Sequence, residues 1–218
     1  MDFSKQIFDQ WAVSAHKLNG NKWFQRMASG DLNVAHYASL LRQTYHHAKW
    51  NPQIQACATL WFKDNPHEVV KKFFQHAISE IGHDLLALND LKALGQNVSG
   101  IESEEPLPAT RALIAFPIFE MQWRSPLVYL GYLYHLEYLP TQSGRSYVDM
   151  LTKIGVPKEA LTFIEEHSVA DIHHNKMMEF YISKLVKTES DARIVISAAQ
   201  ATCKLHEHMM CDAFEAAE

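Results

Sequence analysis

The sequence predicts an all-α protein, a compact bundle of seven or more helices, and three observations carry that prediction. Only 8 Gly and 8 Pro are spread over 218 residues, too little turn chemistry for a many-stranded sandwich or barrel. Apolar residues recur with helical period along most of the chain. No segment shows the alternation of a half-buried strand, and no repeat or low-complexity tract interrupts the pattern. The length fits one helical domain, residues 1–218.

Each element has its own reason. Phe3, Ile7, Trp11, Val13 and Ala15 predict a helix over 3–18, ended by Asn19-Gly20-Asn21, residues that tolerate left-handed conformations. A short helix over 22–28 stops at Ser29-Gly30-Asp31. Residues 33–62 form a long pattern with a kink expected at Asn51-Pro52. Asp64-Asn65-Pro66 opens a helix over 66–94, closed by Gly95. The polar stretch 96–108 is too short for a domain linker, and a helix over 109–122 follows. Residues 127–139 are apolar or aromatic nearly all the way round, the mark of a central helix, with a break or kink expected at Thr141-Gln142-Ser143-Gly144 before 146–154. Helices over 157–186 and 190–214 complete the bundle.

Composition narrows the function. Net charge is −5, so no basic field exists to collect nucleic-acid phosphates. Three cysteines, Cys57, Cys203 and Cys211, form no CxxC and suit a reducing compartment. No apolar run approaches a membrane span and the N-terminus lacks the order of a signal peptide, so a cytoplasmic protein is expected. The unusual count is 13 histidines.

Three segments place histidines with carboxylates. In His167-Ser-Val-Ala-Asp171-Ile-His-His174, the residues His167, Asp171 and His174 lie at about 0°, 40° and −20° around a helix, one stripe two turns long. Two imidazoles and a carboxylate on one face form a natural ligand set for a first-row transition metal; the plainer reading is a solvated face with an i, i+4 pair. Glu80-Ile-Gly-His83 has the Glu-x-x-His spacing by which carboxylate-bridged di-metal sites take ligands from adjacent helical turns. Gly82 within that helix costs about 1 kcal/mol, which suggests that another helix or a ligand approaches there. Glu137 sits in the apolar helix and, once buried, needs a cation, a metal or a proton; Arg145 or Arg42 is the salt-bridge alternative. The six, Glu80, His83, Glu137, His167, Asp171 and His174, amount to three imidazoles and three carboxylates, leaving about +1 around two ferrous ions and a site suited to an anionic substrate.

In this order the six residues resemble the heme-oxygenase-like di-iron oxidases and oxygenases, whose fold is shared with TenA/thiaminase II and the pyrroloquinoline quinone synthase. The stretch from Trp23-Phe24 through Gly30-Asp31-Leu32 to Gln43-Thr44-Tyr45-His46-His47 is similar to that superfamily's early helices. The resemblance covers roughly residues 10–212. It implies a TenA-like bundle holding two irons per chain, cycling between Fe(II) and Fe(III). It also implies a non-heme, O2-dependent oxidase or oxygenase acting on a small metabolite, carboxylate-bearing molecules being among the candidates, with the six residues as iron ligands.

His76, four residues before Glu80, repeats the His-x-x-x-carboxylate-x-x-His spacing and is a candidate neighbour or alternative ligand. His135 points away from Glu137 and is expected in the core, and His206-Glu-His208 is expected to be solvated. Tyr129, Tyr132, Tyr134 and Tyr138 read as core packing, with a redox tyrosine as the alternative. Trp23, Trp50, Trp61 and Trp123 are expected to fill core or interface.

Thiaminase chemistry fits less well, because no cysteine lies between Cys57 and Cys203. Heme oxygenase fits less well too: His16 could serve as axial ligand, but the candidate distal helix has one glycine and four tyrosines. The alternative from another class is a non-catalytic bundle binding a small ligand or partner protein. A homodimer is the commonest assembly for such a chain.

Overall fold

The computed structural model describes residues 2–218, the side chains of residues 169–173 excepted. Among the described residues there are ten α-helices and no strand: α1 Phe3–Lys17, α2 Lys22–Ser29, α3 Val34–Ala48, α4 Asn51–Ala58, α5 His67–Ser79, α6 His83–Ala93, α7 Pro108–Trp123, α8 Val128–Lys153, α9 Thr162–Leu185 and α10 Glu189–Glu215. No helix among them is long and apolar enough to cross a membrane.

The all-round apolar helix takes the central position. α8 packs along both α9 and α10, and Val128 through His135 are all buried. A Cβ at Gly131 would stand 2.3 Å from the Val195 carbonyl and 2.6 Å from the Ala198 Cβ. Only a hydrogen side chain lets α8 and α10 cross this closely.

Several expected boundaries differ: the 33–62 pattern is two helices, α3 and α4, with Pro52 in the first turn of α4, and α9 begins at Thr162 and not at 157. The break or kink at 141–144 does not end α8, which runs through Pro140 to Lys153. Thr141 and Ser143 turn their hydroxyls back onto the carbonyls of Tyr138 and Leu139 at 3.0 and 2.7 Å, satisfying these side chains within the helix. Gly144 also lies against Ser168 of α9, where a Cβ would meet the Ser168 Cβ at 3.0 Å.

The helix expected over 66–94 is two helices, broken at Glu80-Ile81-Gly82. Gly82 has φ +95° and caps α6, and nothing lies within 4 Å of a Cβ added there. Its glycine therefore serves a left-handed backbone, not the close approach inferred from sequence.

α9 is held from the side. The carboxylate of Asp90 on α6 accepts from the backbone N–H groups of Thr162 and Phe163 at 3.1 and 3.0 Å and from the Thr162 hydroxyl at 2.5 Å. These satisfy donors that the first turn of a helix leaves unpaired. Burial pushes the Asp90 carboxyl up, and the three bonds draw it back. Further along, Phe73 of α5 stacks on Tyr181 of α9 at 4.3 Å and on Phe62 at 5.1 Å. α5, α6, α8 and α9 thus enclose one polar region.

Candidate metal centre

The helix break assembles this region. His76 lies in the last turn of α5, Glu80 just beyond its end, and His83 begins α6. Glu-x-x-His is therefore carried by a turn and not by adjacent turns of one helix. α8 contributes Glu137, and α9 contributes His167 and His174.

The side chains form two groups. One ligand atom each from His76, Glu80, Glu137 and His174 lie within 4.8 Å of one another, as do atoms from Glu80, His83 and His167. Glu80 belongs to both, with its oxygens divided between them: Oε1 is 3.9 Å from His76 Nε2 and 3.6 Å from His174 Nδ1, whereas Oε2 is 3.3 Å from His83 Nδ1. Glu137 lies on one side only, with Oε1 3.0 Å from His76 Nε2 and Oε2 2.9 Å from His174 Nδ1.

Five of the six residues selected from sequence therefore converge. Asp171 lies among the residues whose side chains are not described. His76, which sequence left as an alternative, stands with its ring centroid 4.1 Å from that of His174. The His76-x-x-x-Glu80 spacing was the available signal for it.

Neither salt-bridge alternative for Glu137 holds. Arg42 pairs with Glu104 at 2.7 Å, and Arg145 is exposed. The two buried carboxylates, Glu80 and Glu137, face imidazoles instead. Burial pushes the Glu137 carboxyl up, but His76 and His174 override it and hold the group well below the usual carboxylate range. His83 is raised by its contact with Glu80, against the opposing effect of burial.

The donor set suits a metal on two counts. Among the described residues, His76 Nδ1 and Glu80 Oε1 are buried without a hydrogen-bond partner, a costly arrangement for a protein that only folds. The imidazole and carboxylate donors are those of first-row metals such as iron, manganese or zinc. His167 is prepared as a ligand: its Nδ1 donates to the Phe163 carbonyl at 2.7 Å, leaving the Nε2 lone pair free to coordinate. The Phe163 ring stacks on it at 4.1 Å.

A cavity of about 430 Å³ opens beside His167. Its floor includes Trp11, Tyr37, Leu41, Phe163 and Met210, and its mouth the exposed His16 and Gln142.

A second polar chain runs elsewhere in the core. Trp11 Nε1 donates to His135 Nδ1 at 3.1 Å, and His135 Nε2 meets His206 Nδ1 at 3.0 Å. His206, expected to be solvated, is thus part of the interior. Its sequence neighbourhood, charged and without one-face spacing, gave no sign of this. The tyrosines pack as expected: Tyr132 meets His47 Nε2 at 2.7 Å, and Tyr134 stacks on Tyr138. Trp23 is buried, but Trp50 and Trp123 are 44% and 70% exposed, so neither fills the core.

Solved structures share this architecture. A domain of unknown function with a heme oxygenase-like fold from Shewanella denitrificans OS217 is 26% identical, over 99% of this chain and 93% of that one, with a TM-score of 0.88. A TenA homologue from Pyrococcus furiosus is 14% identical over 97% of this chain and all of that one (TM-score 0.78), and one from P. horikoshii OT3 is 11% identical over 99% of each (TM-score 0.77). No curated protein matches the chain in sequence. Residues 38–207 match the family described as iron-containing redox enzymes, which spans α3 to α10 and every residue of the two ligand groups: the chain belongs to that family and has its heme-oxygenase-like, TenA-like helical fold.

Proposed function

We propose that this chain, folded as one domain over residues 1–218, is a non-heme di-iron oxidase or oxygenase that uses O2 on a small molecule. The observation that carries the reading is Glu80, whose two oxygens face two separate ligand groups as a bridging carboxylate would. His76, Glu137 and His174 would hold one iron and His83 and His167 the other, with Asp171 completing the set from the same stripe of α9. When bound, iron would supply electrons to O2 and polarise it.

The remaining roles belong to the protein. The Phe163 carbonyl holds the His167 ring and fixes its tautomer. Asp90 fixes the start of α9 and hence the height of His167. Mainly apolar walls line the cavity in which a substrate would meet the centre. The buried carboxylates would balance the charge of the bound iron.

Anaerobic titration with Fe(II), followed by O2, tests the reading. Two irons per chain and a transient visible absorption are expected. Iron bound at no more than background level would refute it, leaving a non-catalytic bundle.

A further inference from the structure

Among the described residues, the cavity beside His167 is lined by no lysine, arginine, aspartate or glutamate. A charged group placed in it would lose water and find no side-chain countercharge. Its buried polar groups include His206 and the hydroxyls of Tyr37 and Tyr147, and one of them has a fixed direction.

That group is His206. The indole of Trp11 can only donate, so His135 Nδ1 accepts from it. A neutral His135 then carries its proton on Nε2 and donates to His206 Nδ1. A neutral His206 in turn carries its proton on Nε2. His206 lines the cavity, and this N–H makes no further hydrogen bond among the described residues. Two tyrosine hydroxyls stand nearby: Tyr37 and Tyr147 also line the cavity, and their buried oxygens lack hydrogen-bond partners among the described residues. Three neutral groups capable of donating are thus set in apolar walls.

We propose that this cavity binds an uncharged, mainly apolar molecule bearing a hydrogen-bond acceptor such as a carbonyl or ether oxygen, and that His206 Nε2–H donates to that acceptor. The proposal rests on the reading that this cavity is the substrate site of the centre. Trp11 and His135 act as positioning residues: they fix which nitrogen of His206 carries the proton. A hydrocarbon without an acceptor would leave the N–H unpaired once water is expelled, and an ammonium would confront a donor.

Binding to the metal-free protein tests this without any turnover. By calorimetry, 2-octanone should bind at least about tenfold more tightly than octanoate or octylammonium, a difference of about 1.4 kcal/mol. His206→Phe should remove about tenfold of the ketone affinity, and His206→Gln, which keeps a donor, should restore much of it. Long-range nitrogen–proton correlation spectra should show His206 protonated on Nε2, and Trp11→Phe should mix its two tautomers. Tighter binding of either charged probe, no binding of the ketone, or an Nδ1-protonated His206 would overturn the proposal. Should His206→Phe fail to fold, the spectrum of the unsubstituted protein and its Trp11→Phe variant decide. Ketone binding through His206 in a protein that takes up no iron would break the di-iron reading alone, and iron uptake with no ketone binding would break this one alone.

Discussion

Two sets of buried histidines lie within the same bundle and differ in their partners. In the chain from Trp11 through His135 to His206 Nδ1, every contact pairs a donor with an acceptor, no carboxylate takes part, and the one remaining N–H, His206 Nε2, faces the cavity. In the cluster around Glu80 and Glu137, imidazoles crowd carboxylates, yet His76 Nδ1 and Glu80 Oε1 lack hydrogen bonds among the described residues. A satisfied network stabilises the fold by itself, whereas an unsatisfied one is tolerable only if something else completes it. Burial alone does not separate the two; the match of donors to acceptors does.

The sharpest way to break this comparison is to remove the residue shared by both ligand groups. Glu80→Gln should cut iron from two to at most one per chain and lower O2-dependent turnover by about a thousandfold or more, as metal analysis and oxygen consumption would show. The same variant, metal-free, should lose no more than about 1 kcal/mol toward denaturant, because His83 can release its proton once the carboxylate is gone. A marked loss of metal-free stability would mean that the cluster is structural.

Both regions depend on α8, so Gly131→Ala should disturb both. The new methyl would enter the Val195 backbone, and an overpacked contact of this kind costs about 3 kcal/mol. Urea unfolding should show the loss, with weaker iron binding alongside.

His135→Leu addresses the satisfied chain alone. It strands the Trp11 N–H and should cost about 2 kcal/mol of stability while leaving iron stoichiometry at two. Loss of iron in a folded variant would show that the regions are not separate.

A pH series distinguishes them by sign and window. Burial lowers His47 to about 3 and His206 to about 4, from an ordinary value of 6.5. The unfolded chain therefore binds protons that the native one refuses below pH 6.5. Stability should fall as pH drops below that value, by up to about 1.4 kcal/mol per unit for each group. The depressed Glu137 carboxyl acts in a lower window: its stabilisation is present above 4.5 and is lost as pH falls below that value. Denaturant midpoints of the metal-free protein between pH 7 and 3 would resolve both stages.

The smallest effect belongs to the turn that delivers Glu80. Gly82→Ala meets no atom but must adopt a positive φ, a strain of about 1 kcal/mol. It should lower the melting temperature by a few degrees and leave iron binding intact.

The helical class was legible because period and sparse turn residues are local properties. The candidate ligands were legible for a related reason: spacing on one helix fixes which side chains share its face, as with His167 and His174. The break at Glu80 was less visible, since Gly82 fits a costly helix interior and a left-handed cap equally well until its φ is seen. His206 was misjudged because its charged sequence neighbours describe the outer face of α10, whereas its own side chain meets His135 on α8.

From the sequence alone came the all-α class, the central position of the 127–139 segment and the identities of carboxylates and imidazoles able to hold metal. Only the tertiary structure decided that Glu80 stands between two ligand groups, that His76 joins one of them, and that His206 faces a cavity whose described lining holds no lysine, arginine or carboxylate. The physical reason is that periodicity specifies the faces of each helix separately, while a site depends on which faces meet. Crossings such as Gly131 against α10 and anchors such as Asp90 at the start of α9 set those meetings through contacts between residues far apart in the chain.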